Sequence, residues 1–315
     1  MSAMDRDSKS GASPVGVWGA LIVVYLVWSS TYLAIRLAVE SIPPFYMAAA
    51  RFLIAGSLLF AWRMIRRDDL PGKPEWRSAA IIGLFLLVGG NGGVVWAEQR
   101  IPSGIAALIV GSAPLFMVVL EAVISREKRP RFLELVGVLI GFVGITVLVN
   151  PFSSTGEGRH DLAATLVILM SAFFWAVGSV YSRRARLPGS PLLGTSMEML
   201  AGGLGLFILG TLFGEYRGLH LSAFPARSLW SLLYLIVFGS LVGFATYTWL
   251  LRVAPISLVS TYAYVNPILA IVLGNILARE PINGRVFSSA LIILGSVALI
   301  TTRKKTKNSP RRTHH

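Results

Sequence analysis

Ten apolar runs, each bounded by charge, proline or glycine, divide the chain: 15–39, 44–63, 77–98, 102–124, 132–149, 161–182, 191–213, 228–250, 254–277 and 285–302. A helix rises about 1.5 Å per residue, so about 20 apolar residues cross a hydrocarbon core of roughly 30 Å. The pattern predicts an all-α integral membrane protein with ten transmembrane helices. The connections are short, which leaves no room for an inserted soluble domain. The first run follows Arg6 and Lys9, as a signal peptide would, but it continues to Val39 without a convincing small-residue cleavage site and reads as the first span.

The two halves repeat. Trp28 and Arg51 are 23 residues apart, as are Trp175 and Glu198, and each pair bridges the end of one span and the start of the next. Further on, Trp96, Pro102, Pro114 and Arg126-Glu127 recur at a constant offset of 153 as Trp249, Pro255, Pro267 and Arg279-Glu280. An ordered series of this kind marks a duplication. Each copy holds five spans, an odd number, so the second enters the membrane from the opposite face. Such inverted repeats are a transporter architecture, because two equivalent packings that exchange roles expose a midplane site to one side and then to the other. The expected organisation is a tail at 1–14, repeats at 15–149 and 161–302, and a basic tail at 303–315.

Composition agrees with the hydropathy. Of 315 residues 54% are hydrophobic and 14% charged, against roughly 25% charged in soluble domains, and the mean hydropathy is +0.67. The formal charge of +14 raises nucleic acid as a partner, but the placement of the basic residues answers it. Counted by loop on alternating sides, 21 Lys and Arg fall on the side of the termini and 6 on the other, with Arg36 and Arg51 inside spans. That bias predicts cytoplasmic termini in an inner (plasma) membrane, and it accounts for most of the charge without nucleic acid. The absence of cysteine removes thiolate chemistry, and His160, His220, His314 and His315 lie in loops or the tail. The spans hold no metal-ligand set or catalytic triad, and the chain has no phosphate-binding G-x-x-x-x-G-K-[ST] stretch. Neither an enzyme nor a cofactor is expected; transport would be passive or coupled to an ion gradient such as protons.

Charge inside a span is costly and marks a cavity or a partner. Arg51 and Glu198 hold equivalent positions about eight residues into their spans, roughly 12 Å deep. They serve either a solute, a zwitterionic one suiting the pair, or helix packing, and Glu198 would be the proton carrier. Glu98 and Glu121 near span ends read as interfacial anchors first, and Arg36 with Glu40 as an i,i+4 pair. Trp18, Trp62, Trp76 and Trp230 read as an interfacial belt. Trp28, Trp96, Trp175 and Trp249, with Tyr32, Tyr247, Tyr262 and Tyr264, are candidates to line a pocket for an amphipathic or aromatic metabolite, with ordinary helix packing as the alternative. The glycine-rich stretch VGGNGGV at 88–94 carries Asn91, where a break in the helix would offer backbone to a solute. Pro114 and Pro267 are expected mid-span kinks that act as hinges.

The stretches WSSTYLAIRLAVESIPP (28–44), AARFLIAG (49–56), AEQRIPSGIAALIVGSAPLF (97–116), WAVGSVYSRR (175–184), EMLAGG (198–203) and STYAYVNPILAIVLGNILARE (260–280) resemble EamA-domain permeases of the drug/metabolite transporter superfamily. The resemblance implies two inverted EamA repeats around a central cavity and export of metabolites, amino acids or drugs. It carries Arg51 onto the family's R-F-x-x-A signature, and Tyr262, Tyr264, Asn266 and Pro267 onto its S-Y-A-Y-x-N-P stretch. The competing expectation is a channel, or a membrane sensor or assembly subunit that transports nothing.

Overall fold

A computed structural model describes residues 13–124, 132–149, 161–219, 224–254, 256–259 and 261–302. Among them the chain forms ten helical spans. They are α1 (Pro14–Ala38), α2 (Pro44–Ile65), α3 (Lys73–Gly83, continued through Leu84–Asn91 and Gly92–Ala97) and α4 (α4a, Ser103–Val110; α4b, Ala113–Ile124), followed by α5 (Phe132–Val149). The second half repeats the series with α6 (Leu162–Ser182), α7 (Pro191–Leu212) and α8 (Ala226–Tyr234, continued through Leu235–Val242 and Gly243–Val253), then α9 (α9a, Ile256–Val259; α9b, Tyr262–Ala278) and α10 (Gly284–Thr302). Six of the ten are long and apolar enough to cross a membrane on their own; the described parts of the other four are shorter apolar helices.

Local chemistry sets the starts. Proline occupies the first turn of α1, α2, α3 and α7, where its missing N–H costs nothing. Ser13 Oγ accepts from Gly16 N at 3.1 Å, Asp161 Oδ1 from Ala164 N at 3.0 Å and Ser190 Oγ from Leu193 N at 3.4 Å. α3 begins at Lys73, four residues before the apolar run, because Glu75 reaches back to accept from Gly72 N at 2.6 Å.

Packing follows the inverted duplication. α2 lies against α7 and α5 against α10, each span beside its own equivalent. α1 packs on α8 and α9b, and its counterpart α6 packs on α3 and α4. Close backbone approach holds the α2–α3–α7 group together: a Cβ on Gly83 would lie 2.6 Å from the Glu198 carbonyl oxygen and one on Gly56 2.9 Å from Met199 Cβ. Trp18, Trp62 and Trp230 are exposed, as a lipid-interface belt requires, and Trp76 is half-buried against Phe60.

Three expectations change. The glycine-rich stretch around Asn91 does not break; Leu84–Asn91 widens into a π-helical turn and the span continues, and Leu235–Val242 in α8 does the same without a glycine-rich signal. The two prolines are not equivalent kinks. α4 is interrupted at Gly111–Ser112 and Pro114 opens the next segment, where its ring is tolerated, whereas Pro267 lies inside α9b. The Arg36–Glu40 pair does not form. Arg36 turns into the protein and donates to the carbonyls of Glu98 (2.5 Å) and Ile101 (2.9 Å), and Glu40 faces Arg227 at 3.6 Å.

Candidate functional site

The repeats enclose a cavity of about 90 Å³ between α1, α2, α3, α4, α6, α8 and α9b. Of the residues singled out in the sequence, Trp28, Tyr32, Arg51, Asn91, Trp175, Tyr262 and Asn266 line it, together with Pro114 and Pro267.

Trp28 organises the walls. Its ring meets Trp175 (6.2 Å between centroids), Phe244 (5.5 Å), Tyr247 (4.8 Å) and Tyr262 (5.3 Å). Glycine makes the space: a Cβ on Gly243 would stand 2.5 Å from Trp28 Nε1, and one on Gly90, its repeat equivalent, 3.2 Å from Trp175 Cε3. Each π-helical span thus presents a glycine to the other repeat's tryptophan. Gly111 gives similar room to Pro267, whose Cγ would lie 3.0 Å from an added Cβ.

The polar groups are few. Arg51 is 2% exposed, donates from Nε to Ser240 Oγ at 2.8 Å and sits with its guanidinium carbon 4.8 Å from the Phe52 ring centroid. Its Nη1 is buried without a hydrogen-bond partner, as is Asn91 Oδ1. Asn266 accepts from Ser29 Oγ at 3.2 Å, which fixes α9b to α1. The site is therefore an aromatic box with one cation and one amide oxygen that each carry an unpartnered buried polar atom.

Other candidates lie elsewhere. Glu198 is half-buried away from the cavity lining and makes no ion pair with Arg51 among the described residues. Tyr247 stands behind Trp28 and Tyr262 rather than in the cavity wall. Tyr264 points away and donates to the Val297 carbonyl at 2.8 Å in the α10 layer. Trp96 lies under the Arg100 guanidinium, whose carbon is 4.1 Å from the ring centroid, and Trp249 is exposed on a separate crevice. Glu98, read from the sequence as an anchor, is fully buried with neither carboxylate oxygen hydrogen-bonded. The kink between α3 and α4 carries it inward, which hydropathy does not reveal. The side chain of Glu121 lies outside the described residues.

The two ends of the bundle differ. Where α1 begins, a crevice of about 710 Å³ lies between α1, the end of α2, the start of α7 and the end of α8. The Trp28, Phe244 and Tyr247 cluster on α1 and α8 stands between this crevice and the cavity. At the opposite end the repeats are tied across. Glu215 accepts from Phe45 N (3.2 Å) and Tyr46 N (3.0 Å), and Glu280 accepts from Ser103 N (2.8 Å), Ser103 Oγ (2.9 Å) and Gly104 N (3.1 Å). Ser228 Oγ donates to the Leu37 carbonyl at 2.9 Å.

Ten apolar spans in two inverted repeats around a small amphipathic cavity define a polytopic membrane protein of the transporter class. The chain belongs to the EamA-like transporter family, which matches residues 15–150 and 162–302. It is 39% identical over 290 residues to the inner membrane transporter YedA of Escherichia coli (strain K12), covering 91% of each chain. It is 25% identical over 293 residues to the transporter YvbV of Bacillus subtilis (strain 168), covering 92% of this chain and 93% of that one. A solved crystal structure at 24% identity superposes with a TM-score of 0.63 over 92% of this chain and 98% of its own, which supports the fold.

Proposed function

We propose that the protein is a secondary carrier that exports a small amphipathic or zwitterionic organic solute from the cytoplasm by alternating access. Both termini, 1–14 and 303–315, are cytoplasmic, and the repeats at 15–149 and 161–302 are the two units that rock against each other. The observation that supports the reading is the small aromatic cavity between a wide crevice at one end and cross-repeat ties at the other. With cytoplasmic termini the crevice faces the cytoplasm and the tied end faces outward, an arrangement suited to loading from inside. At about 90 Å³ the cavity is smaller than the roughly 300–1,000 Å³ of pockets that hold drug-sized ligands, so loading requires the aromatic cluster to part.

The reading is tested with full-length protein in liposomes, using phenylalanine as a zwitterionic aromatic probe. A carrier gives saturable uptake that is accelerated by phenylalanine on the opposite side. A channel gives uptake that neither saturates nor responds to counter-solute, and a sensor gives none; either result would overturn the proposal.

A further inference from the structure

The lining of the cavity carries a single formal charge. Of its side chains Arg51 alone is ionic, and among the described residues no carboxylate lines it. Glu98 and Glu198 lie outside the lining and form no ion pair with Arg51 among the described residues. The π-helical turn of α8 seats the guanidinium instead. Ser240 Oγ accepts from Nε at 2.8 Å, and a Cβ added to Gly239 would stand 2.9 Å from Nη2, so a side chain there would displace the guanidinium. The Phe52 ring centroid lies 4.8 Å from the guanidinium carbon. Each of these partners is neutral. A cation only 2% exposed and without a counter-charge in contact is costly, and Nη1 adds an unpaired donor.

The π-helical turn of α3 supplies the second group. Asn91 ends that turn, lines the cavity, and has a buried Oδ1 that accepts from nothing. Other polar groups of the lining are engaged. Thr31 Oγ1 donates to the Trp28 carbonyl at 2.6 Å, Ser171 Oγ donates to the Val167 carbonyl at 2.8 Å, and Asn266 Oδ1 accepts from Ser29 Oγ at 3.2 Å. The lining therefore calls for one anion and one hydrogen-bond donor. An ammonium would satisfy Asn91 but restore an uncompensated positive charge, whereas a neutral hydroxyl or N–H would not. Both unpaired atoms are sealed from solvent here, so they meet a solute when the aromatic cluster parts, the motion that loading already requires.

We propose that the cavity selects an organic monoanion over a zwitterion: a carboxylate pairs with Arg51 Nη1, and a neutral hydroxyl or N–H donates to Asn91 Oδ1, on an aromatic body beside Trp28 and Trp175. This rests on the carrier reading and narrows its solute to aromatic hydroxy acids and their neutral N–H analogues. The arginine–carboxylate bond is charge-assisted and supplies the larger share of the binding. A zwitterion such as phenylalanine is carried but held less tightly, because its ammonium leaves the occupied site with a net positive charge. Both repeats contribute to the selection. Arg51 and Asn91 belong to the first, and Gly239 and Ser240 of the second are positioning residues that act through Arg51.

The test uses purified full-length protein and probes that share one aromatic body, read by tryptophan fluorescence at neutral pH. They are phenyllactate, phenylalanine (ammonium for hydroxyl), phenylpropanoate (hydrogen for hydroxyl) and phenyllactamide (carboxamide for carboxylate). Phenyllactate should bind about tenfold more tightly than each of the others. Asn91→Leu should bring phenyllactate down to phenylpropanoate and leave phenylpropanoate unchanged, and Arg51→Gln should bring phenyllactate down to phenyllactamide. The wild-type ranking decides without any variant: phenylalanine or phenyllactamide binding as tightly as phenyllactate would overturn the proposal. An Asn91→Leu protein that still prefers phenyllactate to phenylpropanoate would do the same, and so would a rise in phenyllactate affinity in Glu98→Gln, which would place a counter-charge for Arg51 at Glu98. If phenylalanine shows counterflow while the ranking fails, the monoanion assignment falls and the carrier stands. If the ranking holds and neither phenylalanine nor phenyllactate shows counterflow, the carrier reading falls and the binding site stands.

Discussion

Trp28 and Trp175, equivalent by duplication, meet edge to face with ring centroids 6.2 Å apart and planes at 89°. The internal pseudo-symmetry therefore passes through a single aromatic contact at the cavity wall. Trp28 has the larger share of it, touching Phe244, Tyr247 and Tyr262 as well. Replacing a buried tryptophan by alanine costs about 3–5 kcal/mol. Trp28→Ala should lie near the upper end and the less buried Trp175→Ala near the lower, in thermal melts of the purified protein. Trp28→Phe and Trp175→Phe should keep the fold and weaken phenylalanine binding; unchanged affinity in both would remove the pair from the site.

Close helix approach gives a second prediction. A methyl group on Gly83 meets the backbone of Glu198 and Gly202, at 2.6 and 2.9 Å, and neither neighbour can rotate away. Gly83→Ala should lower stability by about 1–3 kcal/mol. Gly19→Ala, with nothing within 4 Å, is the control and should melt as wild type.

Two repeat-equivalent carboxylates, Asp68 and Glu215, stand at the starts of opposite second helices and should respond oppositely to pH. The Arg63 guanidinium, bonded to Asp68 at 2.7 and 2.5 Å, holds the Asp68 carboxyl below its ordinary range, and Ser190 at the start of α7 adds to this. Its contribution is present above the unfolded-state value and is lost only as pH falls through the lowered folded-state value. Burial pushes Glu215 up, outweighing its bonds from Tyr46 N and Phe45 N. Its contribution is greatest below the ordinary glutamate range and is lost as pH rises through the raised folded-state value. Melts of Glu215→Gln should lack that decline on raising pH from about 4, and melts of Asp68→Asn should lose stability near neutrality; matching profiles for the two variants would contradict this.

Orientation is tested by cysteine chemistry, for which the native chain offers no background. Cysteines placed at Ser10 and Ser309, outside the described residues, should be shielded in intact cells from an impermeant maleimide, and one at Gly214 should react. Labelling of either tail would reverse the topology.

Much of the fold was legible because a membrane helix must satisfy its backbone internally and stay apolar over a fixed length. That constraint acts residue by residue, so hydropathy placed all ten spans. The duplication was legible for a related reason: Trp28 and Trp175, or Pro114 and Pro267, keep their order and spacing in both copies. The site was read only in part. Trp28, Tyr32, Arg51, Asn91, Trp175, Tyr262 and Asn266 do converge, yet Glu198 and Tyr264, equally good by type and depth, point elsewhere. A few tens of degrees around a helix axis separate the two outcomes, and depth carries no information about that angle.

The sequence by itself determined the span count, the inverted duplication and the charge bias between the two faces, since each depends on composition and order along the chain. Only the tertiary structure decided which polar groups lack a partner. Glu98 looks like a span-end anchor until the turn into α4 buries it, and Arg36 looks paired with Glu40 until the backbone carbonyls of Glu98 and Ile101 claim it. Partnership between groups more than 60 residues apart depends on how helices rotate and cross, and that is settled by packing rather than by spacing.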